Sequence, residues 1–92
     1  MISFGEYLRH RREQLGLPLR KVAAELDIDT SILSKIERKE RPATKEMLPV
    51  LSNVLNIPVN EMQIEFIQEI VMSELGDLKF LADGLNSVLR KL

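Results

Sequence analysis

The chain has 92 residues, of which 45% are hydrophobic and 29% are charged, and its net charge is −1. This length allows one domain, or one small domain with an added oligomerisation element. No run of about 18 apolar residues is present to span a membrane, and we expect no signal peptide because no apolar segment follows the start. The absence of cysteine and the single histidine, His10, exclude disulfides, cysteine-ligated metals and a histidine cluster. We therefore expect a protein that is not an enzyme and that needs no cofactor.

The small net charge hides an asymmetry between the two halves of the chain. Residues 1–45 carry ten lysines and arginines against seven acids, and residues 46–92 carry three against seven, so balances of +3 and −4 give −1. A basic half beside an acidic half is typical of a chain with one end that faces a polyanion. A solvated surface with chance clustering explains the charges equally well.

Helical periodicity runs along the whole chain, so the expected fold class is all-α. A first helix is predicted over residues 3–15, where Ser3 and Glu6 have capping-box spacing and Gly16 ends the helix. Pro18 opens a second helix, whose apolar residues recur at i, i+3, i+4 and i+7. These residues are Leu19, Val22, Ala23 and Leu26.

Two further helices are predicted before Pro58. The third covers residues 30–38 and has Leu33 and Ile36 on its apolar face. Thr44 is the expected cap of the fourth helix, and Pro49 lies about one turn inside it.

The last third of the chain is predicted to form two more helices. Asn60 and Gln63 have the spacing of a capping box and open a fifth helix over residues 61–75. A sixth is predicted over residues 77–92, with apolar residues at heptad spacing for two heptads.

Residues 17–41 have the pattern of two short helices joined by a tight turn, which is the helix-turn-helix arrangement. The motif needs a small residue where its helices cross, and Ala23 supplies it. The second helix needs small polar residues at its start, which reach base edges in the major groove. Thr30 and Ser31 lie there.

This stretch resembles the lambda-repressor-like helix-turn-helix family of Cro/cI or XRE type. The resemblance covers about residues 4–62, and its most specific part is LSKIER at residues 33–38, at the family's distance from VAAEL at residues 22–26. It implies a DNA-binding domain that works as a dimer on a palindromic operator. By position, the residues that contact bases are Thr30, Ser31, Ser34 and Lys35. Those that contact phosphate are Arg20, Arg38, Lys39 and Arg41.

The sequence departs from the family pattern at four positions. Leu19 stands where glutamine is common, which removes a polar contact, and Pro18 replaces the usual Ser or Thr cap. Asp27 and Lys39 stand where glycine is common, so we expect strained but tolerable turns at both, and aspartate is one of the few residues that tolerate a left-handed turn.

The proposed site residues also have structural interpretations. Thr30 and Ser31 are candidates for plain N-caps, and Lys35 and Arg38 for a solvated face. No acid lies three or four residues from Lys35, so a helical ion pair does not explain that lysine. We expect Glu37 to serve the structure, because phosphate would repel its carboxylate.

We place a DNA-binding domain at residues 1–60 and a helical dimerisation extension at residues 61–92. The apolar stripe of the extension is broader than one packing contact needs, which favours a dimer interface. The alternative is that the last two helices fold back over the domain's own core. The residues assigned to the interface are Ile67, Ile70, Val71, Leu78, Leu81, Leu85 and Val88.

The sequence thus predicts a cytoplasmic, sequence-specific transcriptional regulator that binds double-stranded DNA as a homodimer, most simply a repressor, without a membrane partner. Two alternatives remain open. One is an antitoxin-like module that binds a protein partner through its tail. The other is a helical adaptor that does not bind DNA.

Overall fold

The structure is a computed structural model that describes residues 2–92, and these residues form helices without any strand. The all-α prediction is confirmed. Within the described residues, no helix combines the length and the apolar character that a membrane span requires. The helices are α1 (Phe4–Gln14), α2 (Leu19–Glu25), α3 (Thr30–Glu37), α4 (Leu48–Val54), α5 (Val59–Leu75) and α6 (Leu81–Leu89), and a 3-10 turn (Lys45–Met47) precedes α4.

The start of α1 is the capping box that the sequence predicts. Ser3 Oγ accepts a hydrogen bond from the Glu6 backbone N–H at 3.1 Å, and the Glu6 carboxylate accepts one from the Ser3 N–H at 3.4 Å. At the other end, Gly16 adopts a φ of 67°, which lets the chain leave the helix in a left-handed turn.

Non-glycine residues adopt left-handed conformations after three of the helices. Asp27 has a φ of 56°, as predicted, and Lys39 has a φ of 65°. Asn56, which follows α4, has a φ of 53° and was not predicted. Aspartate and asparagine tolerate this region because their short polar side chains bond locally. The turns after α2 and after α3 therefore adopt left-handed conformations without a glycine.

The predicted starts of the fourth and fifth helices need correction. Thr44 makes no side-chain cap, and Pro49 lies in the first turn of α4, where its missing N–H costs nothing. The N-cap of α5 is Pro58, whose carbonyl accepts from the Met62 N–H at 3.0 Å. The helix thus begins before Asn60, and the capping box predicted at Asn60 is wrong.

The sixth helix is shorter than residues 77–92. The Leu78 N–H donates to the Leu75 carbonyl at 3.0 Å, and the Leu81 N–H donates to the Leu78 carbonyl at 3.2 Å. These are successive turns, so Leu78 lies in the connection and only Leu81–Leu89 are helical. None of the residues of α6 is buried.

One hydrophobic core is enclosed by α1 to α4 and by the first turns of α5. Met62 is completely buried, and the Phe66 ring packs edge-to-face on Phe4 with 5.5 Å between centroids. The core therefore continues past residue 60 into α5. Its buried side chains are Phe4, Leu8, Val22, Ala23, Leu33, Ile36, Leu48, Leu51, Leu55, Ile57 and Met62.

Candidate nucleic-acid interface

The packing of α2 against α3 fixes which face of α3 points outward. Ala23 is 1% exposed at the crossing of these helices, and the Ile28 N–H closes the turn by donating to its carbonyl at 3.1 Å. From α3, Leu33 and Ile36 enter the core, and Glu37 is buried beside them. The opposite face of α3 is therefore left to solvent.

The four predicted base-contacting residues lie together on this outward face. Their spacing of i, i+1, i+4 and i+5 places them on one side of a helix. Thr30, Ser31 and Lys35 are exposed, and Ser34 is half-buried. The face presents hydroxyl groups and one ammonium group, which are hydrogen-bonding groups suited to base edges.

The start of α3 is formed by Asp29 rather than by the hydroxyl residues after it. Asp29 is the N-cap, although its side chain accepts no capping hydrogen bond, and Thr30 is the first helical residue. Ser31 Oγ instead donates to Asp29 Oδ2 at 2.8 Å. The interpretation of Thr30 and Ser31 as plain N-caps is therefore wrong.

Two of the predicted phosphate-contacting residues, Arg20 and Arg38, are exposed on α2 and at the end of α3. Arg20 is exposed on α2, one residue after its start. Arg38 is exposed at the end of α3, where its Nη1 lies 3.0 Å from Glu40 Oε2 and its Nε donates to the Ser34 carbonyl. Because the side chains of Arg38 and Glu40 are both half-exposed, their ion pair contributes about 0–1 kcal/mol. An external anion such as phosphate can therefore replace Glu40 as the partner of Arg38 at little cost in free energy.

The other two, Lys39 and Arg41, belong to the connection after α3. Both are exposed, and both line a groove against α5. The opposite side of this groove carries Glu69 and Glu74. Of the four predicted phosphate-contacting residues, Lys39 and Arg41 thus line this groove, and Arg20 and Arg38 do not.

Two of the three arginines of α1, Arg11 and Arg12, are part of the scaffold, which the sequence analysis missed. Arg11 donates to the Leu55 carbonyl at 2.9 Å and to the Asn56 carbonyl at 3.1 Å. Arg12 donates to both carboxylate oxygens of Glu37, and this hydrogen bonding raises the pKa of Arg12 further above its usual value. The structural role predicted for Glu37 is confirmed. Part of the positive charge of residues 1–45 is therefore already neutralised within the domain.

Gly5 is a second scaffold residue that the sequence analysis missed. A Cβ at this position would lie 2.2 Å from the Ile36 carbonyl oxygen and 2.8 Å from that of Glu37. The first turn of α1 therefore lies directly on the end of α3. A glycine inside a predicted helix, where it is disfavoured, was the available signal.

Leu19 and Pro18 show what the departures from the family pattern do. Leu19 is half-buried and packs against the core, so it acts as an apolar anchor of α2. Pro18 is the N-cap of α2 and makes no side-chain hydrogen bond to the helix. Neither departure disturbs the packing of α2 on α3.

A family model described as Helix-turn-helix matches residues 8–62, which is more than half of the chain. The match includes every residue predicted to contact bases or phosphate and ends where α5 enters the core. No curated protein and no solved structure matches the chain.

Proposed function

The chain belongs to the helix-turn-helix family of Cro/cI (XRE) type and is a DNA-binding transcription regulator, and from this premise we propose that it is a repressor that binds a palindromic operator as a homodimer. Each subunit inserts α3 into a major groove. The observation that carries this proposal is that the predicted base-contacting side chains share the outward face of α3, opposite its buried residues.

Base contacts come from Thr30, Ser31, Ser34 and Lys35. Lys35 is the last residue of this set along α3, and its ammonium group donates to guanine O6 or N7, the commonest specific contact in the major groove. The hydroxyl groups both donate and accept, so they bond with any base that the register brings opposite them.

Phosphate contacts come from Arg20, Arg38, Lys39 and Arg41, and they hold α3 in register without selecting a sequence. The half-exposed pair of Arg38 with Glu40 supports this role, because the arginine is available at the end of α3. Each phosphate that is neutralised adds about −0.9 to the slope of log affinity against log salt.

Dimerisation uses the apolar residues of α5, α6 and their connection. Five of the seven assigned residues are exposed in the single chain, with Ile67 at 56%, Leu78 at 55% and Val88 at 52%. No residue of α6 is buried, which favours a second copy over a fold-back onto the core. The division into a DNA-binding domain of residues 1–60 and a dimerisation extension of residues 61–92 belongs to this proposal, with α5 joining the two.

DNA binding by the wild type and by a Lys35→Ala variant tests the proposal. Fluorescence anisotropy compares an inverted repeat, taken from upstream of the gene or selected from random duplexes, with a random duplex of equal length. We expect Lys35→Ala to reduce the difference in binding free energy between the inverted repeat and the random duplex by about 1–3 kcal/mol. Lys91→Ala, at an exposed lysine of the tail, is the matched control and leaves it unchanged.

Three results would argue against parts of this function. If Lys35→Ala weakens both duplexes equally, Lys35 contacts phosphate and does not read a base. If the wild type shows no preference and a flat salt dependence from about 50 to 200 mM, the adaptor alternative replaces the regulator. If the tail binds a different protein rather than a second copy, the antitoxin-like alternative gains support.

A further inference from the structure

A groove of about 170 Å³ between the connection after α3 and the middle of α5 carries charges of both signs. Its floor is apolar and belongs to the core. One wall comes from the connection after α3 and supplies two cations that we assign to phosphate binding. The other wall comes from α5 and supplies two carboxylates. The floor includes Phe4 and Phe66, and the walls carry Lys39 and Arg41 on one side and Glu69 and Glu74 on the other.

Both walls of this groove are anchored. The Lys39 N–H donates to the Ile36 carbonyl at 3.1 Å, and the Glu40 N–H donates to the Lys35 carbonyl at 2.9 Å, so the connection leaves α3 in a closed turn. On the other side, Phe66 holds α5 against Phe4. The backbones that carry the opposing charges are therefore fixed relative to each other.

The two cations are near the two carboxylates but are not paired with them. Among the described residues, the ion pairs are Arg9 with Glu13, Arg12 with Glu37 and Arg38 with Glu40. Opposite charges that line the same groove attract each other, and salt screens this attraction little at separations below a Debye length, about 10 Å at 0.1 M salt. Lys39 and Arg41 thus experience this attraction while their head groups keep their freedom to reach an external anion.

We propose that Glu69 and Glu74 compete with DNA phosphates for Lys39 and Arg41, and so weaken binding to DNA of any sequence. This inference rests on the proposed function, because it needs the two cations to contact phosphate. Phosphate contacts carry no sequence information. The carboxylates therefore set the overall affinity, whereas the outward face of α3 sets the sequence preference.

Neutralising both carboxylates tests the competition. The double variant Glu69→Gln/Glu74→Gln should bind a random duplex about fivefold more tightly, as expected for the loss of a weak attraction between exposed charges. Its salt slope should steepen by up to about 0.9 for each additional phosphate that the freed cations neutralise. The operator-to-random ratio should stay unchanged. The matched control is Asp77→Asn/Asp83→Asn, which removes the same charge from exposed tail positions outside the groove and should change affinity less than twofold.

A double-mutant cycle separates competition from simple repulsion of DNA by the carboxylates. In a Lys39→Ala/Arg41→Ala background, the two glutamine substitutions should change affinity less than twofold, because the cations for which they compete are gone. A tighter affinity that persists in this background overturns the proposal, and so does an equal increase in the Asp77/Asp83 control. If the wild type binds DNA with the expected sequence preference but the cycle shows no coupling, the inference falls and the proposed function stands. If the wild type does not bind DNA at all, both fall.

Discussion

Arg12 of α1 and Glu37 at the end of α3 form a bidentate ion pair that is almost completely buried. Arg12 Nε lies 2.8 Å from one carboxylate oxygen and Nη2 lies 2.9 Å from the other, with the side chains 11% and 5% exposed. The remaining nitrogen, Nη1, donates to the Leu17 carbonyl at 2.8 Å. One side chain thus connects α1, the loop before α2 and the end of α3.

Removing one partner of this pair should destabilise the domain strongly. Arg12→Ala leaves the Glu37 carboxylate buried without a counter-charge, and we expect a loss of about 3–5 kcal/mol in the free energy of unfolding, measured by urea denaturation. Arg9→Ala is the control, because the Arg9 to Glu13 pair is half-exposed and contributes about 0–1 kcal/mol. Equal losses in the two variants would contradict a special role for Arg12.

Gly5→Ala should also destabilise the domain, for a steric reason. The added Cβ would meet the Ile36 carbonyl oxygen at 2.2 Å, so the first turn of α1 must move away from α3, at a cost of about 1–3 kcal/mol. Gly84→Ala is the matched control because nothing lies within 4 Å of a Cβ there, and an alanine favours the helix. Thermal unfolding followed by circular dichroism compares them, and a Gly5→Ala domain as stable as the wild type would exclude the close contact.

Charged substitutions in α6 should produce monomers. Leu81→Glu/Leu85→Glu places two carboxylates in the proposed interface, so sedimentation should show a monomer at micromolar concentration and operator affinity should fall. Asn86→Glu, at an exposed polar position of the same helix, should remain dimeric. Truncation after residue 60 is a poorer test because it removes Met62 and Phe66 from the core. A wild type that is already monomeric would refute the assigned role of the tail.

Tyr7 should ionise only at unusually high pH. Its hydroxyl donates to Glu61 Oε1 at 3.0 Å, and burial, followed by this hydrogen bond and the charge of Glu61, raises the pKa of Tyr7 well above its usual value of 10.0. The folded state therefore binds the phenolic proton more tightly than the unfolded state. The resulting stabilisation is fully present below about pH 10 and is lost as the pH rises through the folded pKa.

Tyrosinate absorbance measures this shift directly, because the chain has one tyrosine and no tryptophan. The native protein should titrate at higher pH than the urea-unfolded protein, and Glu61→Gln should bring the native titration closer to the unfolded one. Coincident titrations of the native and unfolded protein would mean that the contact between Tyr7 and Glu61 is absent.

The features that the sequence predicts well are local in the chain. The helices follow from apolar periodicity, which neighbouring residues alone determine. The capping box of Ser3 and Glu6 spans three residues, and the left-handed turn at Asp27 is a property of one residue and its surroundings. The outward face of α3 was predictable for the same reason, because the burial of Leu33 and Ile36 leaves only one side free.

The contacts that the sequence did not predict join distant residues. Arg12 and Glu37 are 25 positions apart, and Tyr7 and Glu61 are 54 positions apart, and such pairs leave no periodic mark on the sequence. The failed capping box at Asn60 has a different cause. Its spacing was correct, but Pro58 begins the helix two residues earlier, and local spacing alone cannot choose between two nearby starts.

Because α5 runs from Val59 to Leu75 without a break, it is a continuous helix of about 25 Å. The directions in which side chains at its two ends point around the helix axis are therefore fixed relative to each other. Phe66 faces the core. The next residue, Ile67, is proposed to contact the partner chain of the dimer. One residue inserted between them would rotate everything beyond by about 100° and advance it by about 1.5 Å. In the proposed dimer, the number of residues in α5 would therefore set the relative orientation of the two α3 helices and the spacing of half-sites that they can span.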